Sequence, residues 1–406
     1  MLILRKEYFG GIICSALTGE ILQLNESAYK IVSRYCTLRD KREFSDAERK
    51  FIESESIFSE IGSSLIKSIV PAAPSRDSSI LSAPESIILR LTTGCNKKCV
   101  GCYENRNELL EMDVNLAYKI LEDASKAGVC RVQFGGGEAF EYRFIFDLIK
   151  YAHENNLYVS IGSNGTYIDE NIAAKIKASG LSHIQLSLNN PDMHGRISTD
   201  IIRGAKILSN AGIDYGFNLL ITAQNYKIID EAVALSKECG AKKIKLIRAK
   251  PSVNNHNWYN KTTMSNDMIT KIAEKIVAYN GYLESDCAFS QLRRDECNMG
   301  CIGAVRTMTI SPNGRFAVCP FFIGDSTQTE SILAYPSLNE AWMNSPLLKS
   351  FRDVLNQLEG YTEKHFLRKS NKGCRWIGYW NTHMLDGADN LLEDHDVFPS
   401  LCDRST

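Results

Sequence analysis

Three cysteines crowd into one short stretch, Cys95-x3-Cys99-x2-Cys102, of a chain that holds 13 cysteines in 406 residues. Thiolates are soft ligands that suit zinc or iron-sulfur clusters, and three on one tight loop can take three corners of a cubane. A structural zinc site needs a fourth donor close by. No other Cys or His lies within 25 residues of the triad, so its fourth position is open. A second set is more widely spaced: Cys297, Cys301, Cys319 and Cys374. Four thiolates suit an iron-sulfur cluster or a structural zinc. Cys287, ten residues upstream of Cys297, is an alternative member. The isolated Cys14, Cys36, Cys130 and Cys239 are expected to be small buried hydrophobes, because cytosolic thiols stay reduced and an odd total argues against a disulfide framework.

Something must hold these groups in place. Apolar runs at Ile87 to Leu91, Arg131 to Phe134, Tyr158 to Ile161, His183 to Leu188, Tyr215 to Ile221 and Lys243 to Ile247 alternate with helical segments. Six strand-helix repeats imply a parallel sheet, since parallel neighbours need crossover helices. Six units rather than eight predict a partial barrel, an α/β fold whose site lies at the carboxyl ends of its strands. Both the triad and the polar residues below fall at those ends.

Residues 1–70 predict a small separate α+β module: strands at Leu2 to Tyr8, Gly11 to Cys14 and Ile21 to Leu24, then a helix capped by Asn25. A second helix opens at Ser45-Asp46, with Glu48 at capping-box spacing. Pro71 to Ser79 lies in a linker, residues 71–85. The barrel occupies 86–260 and a cysteine-bearing region 261–406. That region contains a helix from Met264 to Asn280, a hairpin around Ser311-Pro-Asn-Gly314 and a helical segment from Ser337 to Leu358.

Composition limits the function classes. Apolar residues make up 44% of the chain and charged residues 23%, with a net charge of -1. That balance belongs to a globular protein and gives no footprint for nucleic acid or anionic membrane. No run approaches the roughly 20 apolar residues a membrane span needs, and the amino terminus is no signal peptide, so the expected location is cytoplasmic.

The triad resembles the signature of the radical S-adenosylmethionine (SAM) superfamily. The resemblance implies a 4Fe-4S cluster held by Cys95, Cys99 and Cys102, whose open iron chelates S-adenosylmethionine. Reductive cleavage then yields a 5'-deoxyadenosyl radical that abstracts a substrate hydrogen, the protein supplying binding and orientation. Phe134-Gly-Gly-Gly-Glu138 resembles the family's glycine-glycine-glutamate element. Gly135, Gly136, Gly137 and Glu138 are therefore expected at the methionine ammonium, and Ser163, Asn164, Ser187 and Asn189 at the ribose or carboxylate. One departure stands out. Relatives usually carry an aromatic residue just before the third cysteine; here Gly101 occupies that place, leaving backbone to meet the adenine, and Tyr103 follows.

Cys301 to Cys319, with the hairpin between them and Cys319-Pro-Phe-Phe, Ser337-Leu-Asn-Glu-Ala-Trp342 and Ser345-Pro-Leu-Leu after, resembles the SPASM and Twitch auxiliary-cluster domains. The match implies one auxiliary cluster, 4Fe-4S or 2Fe-2S, on Cys297, Cys301, Cys319 and Cys374. Leu4-Arg-Lys-Glu-Tyr-Phe-Gly-Gly11 and the hairpin after it resemble the PqqD-like leader-recognition domains of peptide-tailoring enzymes, which add a peptide strand to a sheet edge. Together these imply an enzyme that crosslinks a ribosomally made precursor peptide through a thioether or carbon-carbon bond, with a flavodoxin or ferredoxin as electron donor. The alternatives are a peptide epimerase with Cys287 as hydrogen donor, a Ser- or Cys-oxidising enzyme of the sulfatase-maturase kind, and a non-catalytic metal-bearing peptide scaffold.

Overall fold

The computed structural model describes residues 1–38, 41–54, 66–69, 80–104, 108–189, 197–279, 281–292, 301–358, 374–386 and 389. The predicted linker and Cys297 lie largely or wholly outside these residues.

The alternation from Ser86 onward produces β5 (Ser86–Thr92), β6 (Arg131–Gly136), β7 (Tyr158–Ser163), β8 (His183–Ser187), β9 (Tyr215–Ile221) and β10 (Ile244–Arg248). They pair in chain order, each parallel to the next. Local signals set the crossovers. Asp113 caps the helix Val114–Ala127 by accepting from Asn115 N and Leu116 N, and Gly128 ends it in the left-handed conformation that glycine adopts without strain.

The sheet extends beyond six strands. β11 (Leu283–Ser285) adds in parallel to β10, and β12 (Thr307–Ile310) adds in parallel to β5 at the other side. The predicted hairpin is present, β12 with β13 (Arg315–Ala317), and β14 (Glu330–Ser331) follows. It belongs to the barrel sheet rather than to a sheet of its own, a long-range pairing that local periodicity does not encode. The order β11-β10-β9-β8-β7-β6-β5-β12-β13-β14 leaves the barrel open. The helical pattern from Ser337 to Leu358 resolves into two helices, Leu338–Asn344 and Pro346–Leu358. Pro346 has no N–H to continue the first helix but suits the first position of the second.

The first 69 residues contribute a four-stranded sheet ordered β3-β2-β1-β4, from β1 (Leu2–Glu7), β2 (Gly10–Ser15), β3 (Ile21–Asn25) and β4 (Ile66–Ile69). The capping box forms, with Glu48 accepting from Ser45 N at 2.8 Å and Ser45 Oγ from Glu48 N at 3.4 Å. This sheet docks at the amino-terminal ends of the barrel strands. Arg5, fully buried, donates to the carbonyls of Ala83, Pro84 and Gly128 and pairs with Glu7, which also accepts from Ser82 N. Arg131 Nε donates to Gly19 O at 2.6 Å. Cys14 and Cys130 are not separate buried hydrophobes: they are joined as a disulfide across 116 positions of sequence, their Cα atoms 6.0 Å apart. Each looks isolated in sequence because Cys14 lies on β2 of the amino-terminal sheet and Cys130 just before β6 of the barrel.

Candidate functional site

The carboxyl ends of the parallel strands converge on the cysteine loop. It leaves β5 through Thr93 and Gly94, and Cys102 N donates to Cys99 O at 3.2 Å, closing the turn between the last two cysteines. All three cysteines are half-buried. Among the described residues, no three His, Cys, Asp or Glu side chains close around one point as a single metal ion requires. A cluster makes a different demand, because its thiolates bind separate irons and need not converge. Three soft donors on one short loop fit that demand.

The glycine triplet is the loop's foundation. Gly137 N donates to Thr92 O and Glu138 N to Gly94 O, at 2.8 and 2.7 Å. A Cβ on Gly136 would strike Thr92 O and one on Gly137 would strike Gly94 O, and Gly136 has φ 120°. Only glycine lets the end of β6 lie this close to the start of the loop. Gly135, in contrast, faces open space.

Glu138 is fully buried. Its Oε1 accepts from Ser163 Oγ at 2.8 Å and its Oε2 from Asn164 N at 2.8 Å, tying the ends of β6 and β7. Burial pushes its carboxyl up to about 7, against the lowering effect of those bonds. Asn164 Nδ2 in turn donates to Asn96 Oδ1 at 2.9 Å and approaches Cys95 Sγ at 3.7 Å. Ser163, Asn164 and Glu138 therefore form one brace behind the first cysteine. Ser187 is exposed at the end of β8. Asn189 bonds across to β9: its amide accepts from Leu220 N and donates to Leu220 O, at 2.7 and 3.0 Å, extending the sheet past its last paired residue.

Several residues at the site have no signal in the cysteine motif. The segment after β10 lies across the loop, where Asn255 Nδ2 donates to Gly101 O at 3.1 Å and Asn254 Nδ2 to Glu104 O at 2.7 Å. Trp258 fills the space beside Gly101: a Cβ there would fall 2.7 to 3.1 Å from three carbons of the indole ring. The missing aromatic side chain at position 101 is thus matched by an aromatic ring arriving from the far end of the sheet. Arg90, buried on β5, pairs with buried Glu104 just past the third cysteine. The sequence hint was a charge inside an otherwise apolar strand.

Cys287 lies near the second thiol set. Cys287 acts electrostatically on Cys319, and Cys301 and Cys374 act on Cys287. Removal from solvent, then the proximity of the other thiols, pushes Cys301 and Cys319 up to about 12; burial raises Cys287 and Cys374 as well. Cations stand beside them: Arg375 acts on Cys301, Arg248 on Cys374, and Lys250 on Cys287 and Cys374, its Nζ lying 2.5 Å from Asp286 and 5.0 Å from the Phe321 ring centroid. Cys287 sits among the described thiols of this set rather than alone beside the first loop. The two loops meet through Tyr103, directly after Cys102, whose ring packs on Phe321 with centroids 4.6 Å apart. Arg248, at the end of β10, forms a buried two-bond ion pair with Asp389, which also accepts from Cys374 N.

The chain is similar to several known proteins. A family model described as the radical SAM superfamily matches residues 89–236. Mycofactocin maturase MftC of Mycolicibacterium smegmatis is 26% identical over 329 residues, covering 76% of this chain and 82% of its own. PqqA peptide cyclase of Gluconobacter oxydans is 26% identical over 295 residues, covering 67% and 80%. The structure of Streptococcus suis SuiB bound to precursor peptide SuiA superposes with a TM-score of 0.70 at 18% identity, covering 97% of this chain and 98% of that one, so the fold is shared over nearly the whole length. A second structure, anSMEcpe with bound S-adenosylmethionine, has a TM-score of 0.54 at 17% identity and covers 76% and 92%. No described helix is long and apolar enough to cross a membrane.

Proposed function

We propose that this chain, whose residues 89–236 match the radical SAM family model, is an enzyme that crosslinks a precursor peptide by hydrogen abstraction. The observation that carries the proposal is the thiol triad on a loop seated on the glycine end of the next strand, in a chain related along most of its length to a mycofactocin maturase and a PqqA peptide cyclase.

Cys95, Cys99 and Cys102 would hold a 4Fe-4S cluster and leave one iron for S-adenosylmethionine. When bound, these groups supply a 5'-deoxyadenosyl radical able to take a hydrogen from the peptide. The chain's own residues orient and enclose. The Gly136–Gly137 contact fixes the loop against β5 and β6, while Glu138, Ser163 and Asn164 hold its first cysteine toward β7. Gly135, with open space above it, lets a ligand approach the backbone, and the exposed Ser187 offers a hydroxyl at the next-but-one strand end. Because Glu138 has both oxygens engaged and no exposure, its part is to set the charge and shape beneath the cosubstrate.

Cys301, Cys319 and Cys374 would hold one auxiliary cluster, 4Fe-4S or 2Fe-2S, with Cys287 or Cys297 as the fourth ligand. Four protein thiolates favour electron transfer over substrate binding. Membership of Cys287 in this set counts against its use as the hydrogen donor of an epimerase. The expected partners are a precursor peptide, whose leader adds to the β3 edge of the amino-terminal sheet, where no described strand pairs, and a cytoplasmic flavodoxin or ferredoxin.

The test uses the anaerobically reconstituted protein, reductant, S-adenosylmethionine and a candidate peptide read from a short frame beside the coding region. A crosslink lowers the peptide mass by two hydrogens, whereas epimerisation leaves mass unchanged and takes up solvent deuterium. Cys95→Ala, Cys99→Ala and Cys102→Ala should each abolish S-adenosylmethionine cleavage, and cleavage retained in any one rejects the radical assignment.

A further inference from the structure

Residues on the parallel strands alternate between the helix layer and the concave side of the sheet. Ile184 and Leu186 of β8, and Phe217 and Leu219 of β9, are fully buried in the core shared with the helices. Gln185 on β8 and Gly216 and Asn218 on β9 therefore face the concave side. The same alternation turns Gln133 and Gly135 of β6 and Gly162 of β7 onto that face.

Packing does not account for this lining. Gln185 Oε1 and Asn218 Oδ1 are out of contact with solvent and accept no hydrogen bond. A buried amide oxygen without a donor is costly, and such groups call for an explanation. Glycine stands beside these amides. A Cβ on Gly216 would come within 3.0 Å of the Gln185 amide, one on Gly162 within 3.7 Å of Gln133 Nε2, and one on Gly135 would meet nothing within 4 Å. Glycine inside a strand weakens it and often marks the close approach of another backbone or a ligand. Carboxamides carry no formal charge, and each offers a donor and an acceptor side by side. A peptide group offers the complementary pair.

We propose that Gln133, Gln185 and Asn218, over the floor of Gly135 and Gly162, form a binding face for the backbone amide groups of the substrate peptide. The inference rests on the peptide-modifying reading and adds to it where the substrate main chain lies and what recognises it. Backbone N–H groups satisfy the two unpaired oxygens, and the bare glycine floor gives the main chain room to approach. Recognition through main-chain groups tolerates varied side chains, so residue choice falls to contacts at the strand ends.

The test uses the full-length reconstituted protein and two fluorescein-labelled, amide-capped probes followed by anisotropy. Tetraglycine presents backbone N–H groups; tetrasarcosine has the same backbone with each nitrogen methylated. Wild type should bind tetraglycine more tightly. The Gln185→Leu/Asn218→Leu double variant should weaken that binding by about tenfold or more, each lost hydrogen bond being worth about fivefold, with tetrasarcosine binding unchanged. Equal binding of both probes by wild type, or unchanged tetraglycine binding by the double variant, overturns the proposal. The double variant should also melt no lower than wild type, since it removes unpartnered polar atoms. A lower melting temperature would mean the amides are satisfied within the fold and would overturn it too. S-adenosylmethionine cleavage is measured in parallel. A protein that cleaves it but does not discriminate the probes refutes the binding face alone; one that discriminates them and never cleaves refutes the radical reading alone.

Discussion

Gly101→Ala tests the fit between the cysteine loop and the segment after β10. The added Cβ would sit 2.7, 2.9 and 3.1 Å from Trp258 Cη2, Cζ3 and Cζ2, whereas carbon atoms pack best at about 3.5–4.0 Å. The ring must therefore retreat by roughly 0.5–1 Å. Retreat strains the tethers that bind the two segments, Asn255 to Gly101 O and Asn254 to Glu104 O. Overpacking of this kind costs about 1–3 kcal/mol. Gly101 is absent from the positive-φ glycines, so alanine's smaller unfolded-state entropy gives back roughly 0.4–1 kcal/mol. The net expectation is a loss of about 1–2 kcal/mol, a fall of roughly 2–8 °C in the melting temperature of a barrel-sized domain. Trp258→Ala alone also destabilises, by loss of packing, yet removes the obstacle. The double variant should then be more stable than the sum of the two losses by about 1–2 kcal/mol. Melting curves of the four proteins give that coupling, and iron content after reconstitution reports whether the loop keeps its shape. Wild-type stability in Gly101→Ala, or strict additivity in the double variant, would refute the steric account.

Three further outcomes follow from other parts of the molecule. If Cys287 is the fourth ligand of the auxiliary site, Cys287→Ala should lower bound iron while Cys297→Ala leaves it unchanged; iron and sulfide analysis on a triad-free background decides between them. The Glu138 carboxyl, held up to about 7 by burial against a usual 4.5, keeps its proton in the folded state after the unfolded chain has lost its own. Stability should thus fall as pH rises from about 4.5 to 7, by no more than about 3 kcal/mol, and level off above; Glu138→Gln should flatten that slope in denaturant titrations, and an unchanged slope would assign it to other groups. Arg5→Met strips the partner from buried Glu7 and three buried carbonyls, which costs about 3–5 kcal/mol. It should expose the amino-terminal sheet to limited proteolysis while the barrel resists, and equal resistance of both would show that the docking does not depend on Arg5.

The barrel was legible because its signals are local. Apolar runs of strand length, separated by helical segments with their own caps, predicted six strands within one or two residues of those observed, and the Ser311-Pro-Asn-Gly314 turn located the hairpin. Chain order then placed the strand ends, and with them the triad, Glu138 and Asn164, along one edge. Pairing between distant segments carries no such local mark. The addition of β12 beside β5, the Cys14–Cys130 link, the Arg5 anchor and the Arg248–Asp389 ion pair each join residues more than 70 positions apart.

Cysteine chemistry likewise divides between the two levels. That three soft donors share one short loop follows from their positions in the chain, because the few bonds between them allow little else. That Gly136 and Gly137 also let the β5 and β6 ends approach so closely, while Gly135 faces open space, depended on tertiary pairing. The glycine before Cys102 made sense only when Trp258, more than 150 residues away, arrived beside it. The residues alone thus determined which chemistry the chain can support; tertiary packing decided which side chains surround it, since proximity across a sheet is set by the summed burial of many apolar residues rather than by any one neighbour in sequence.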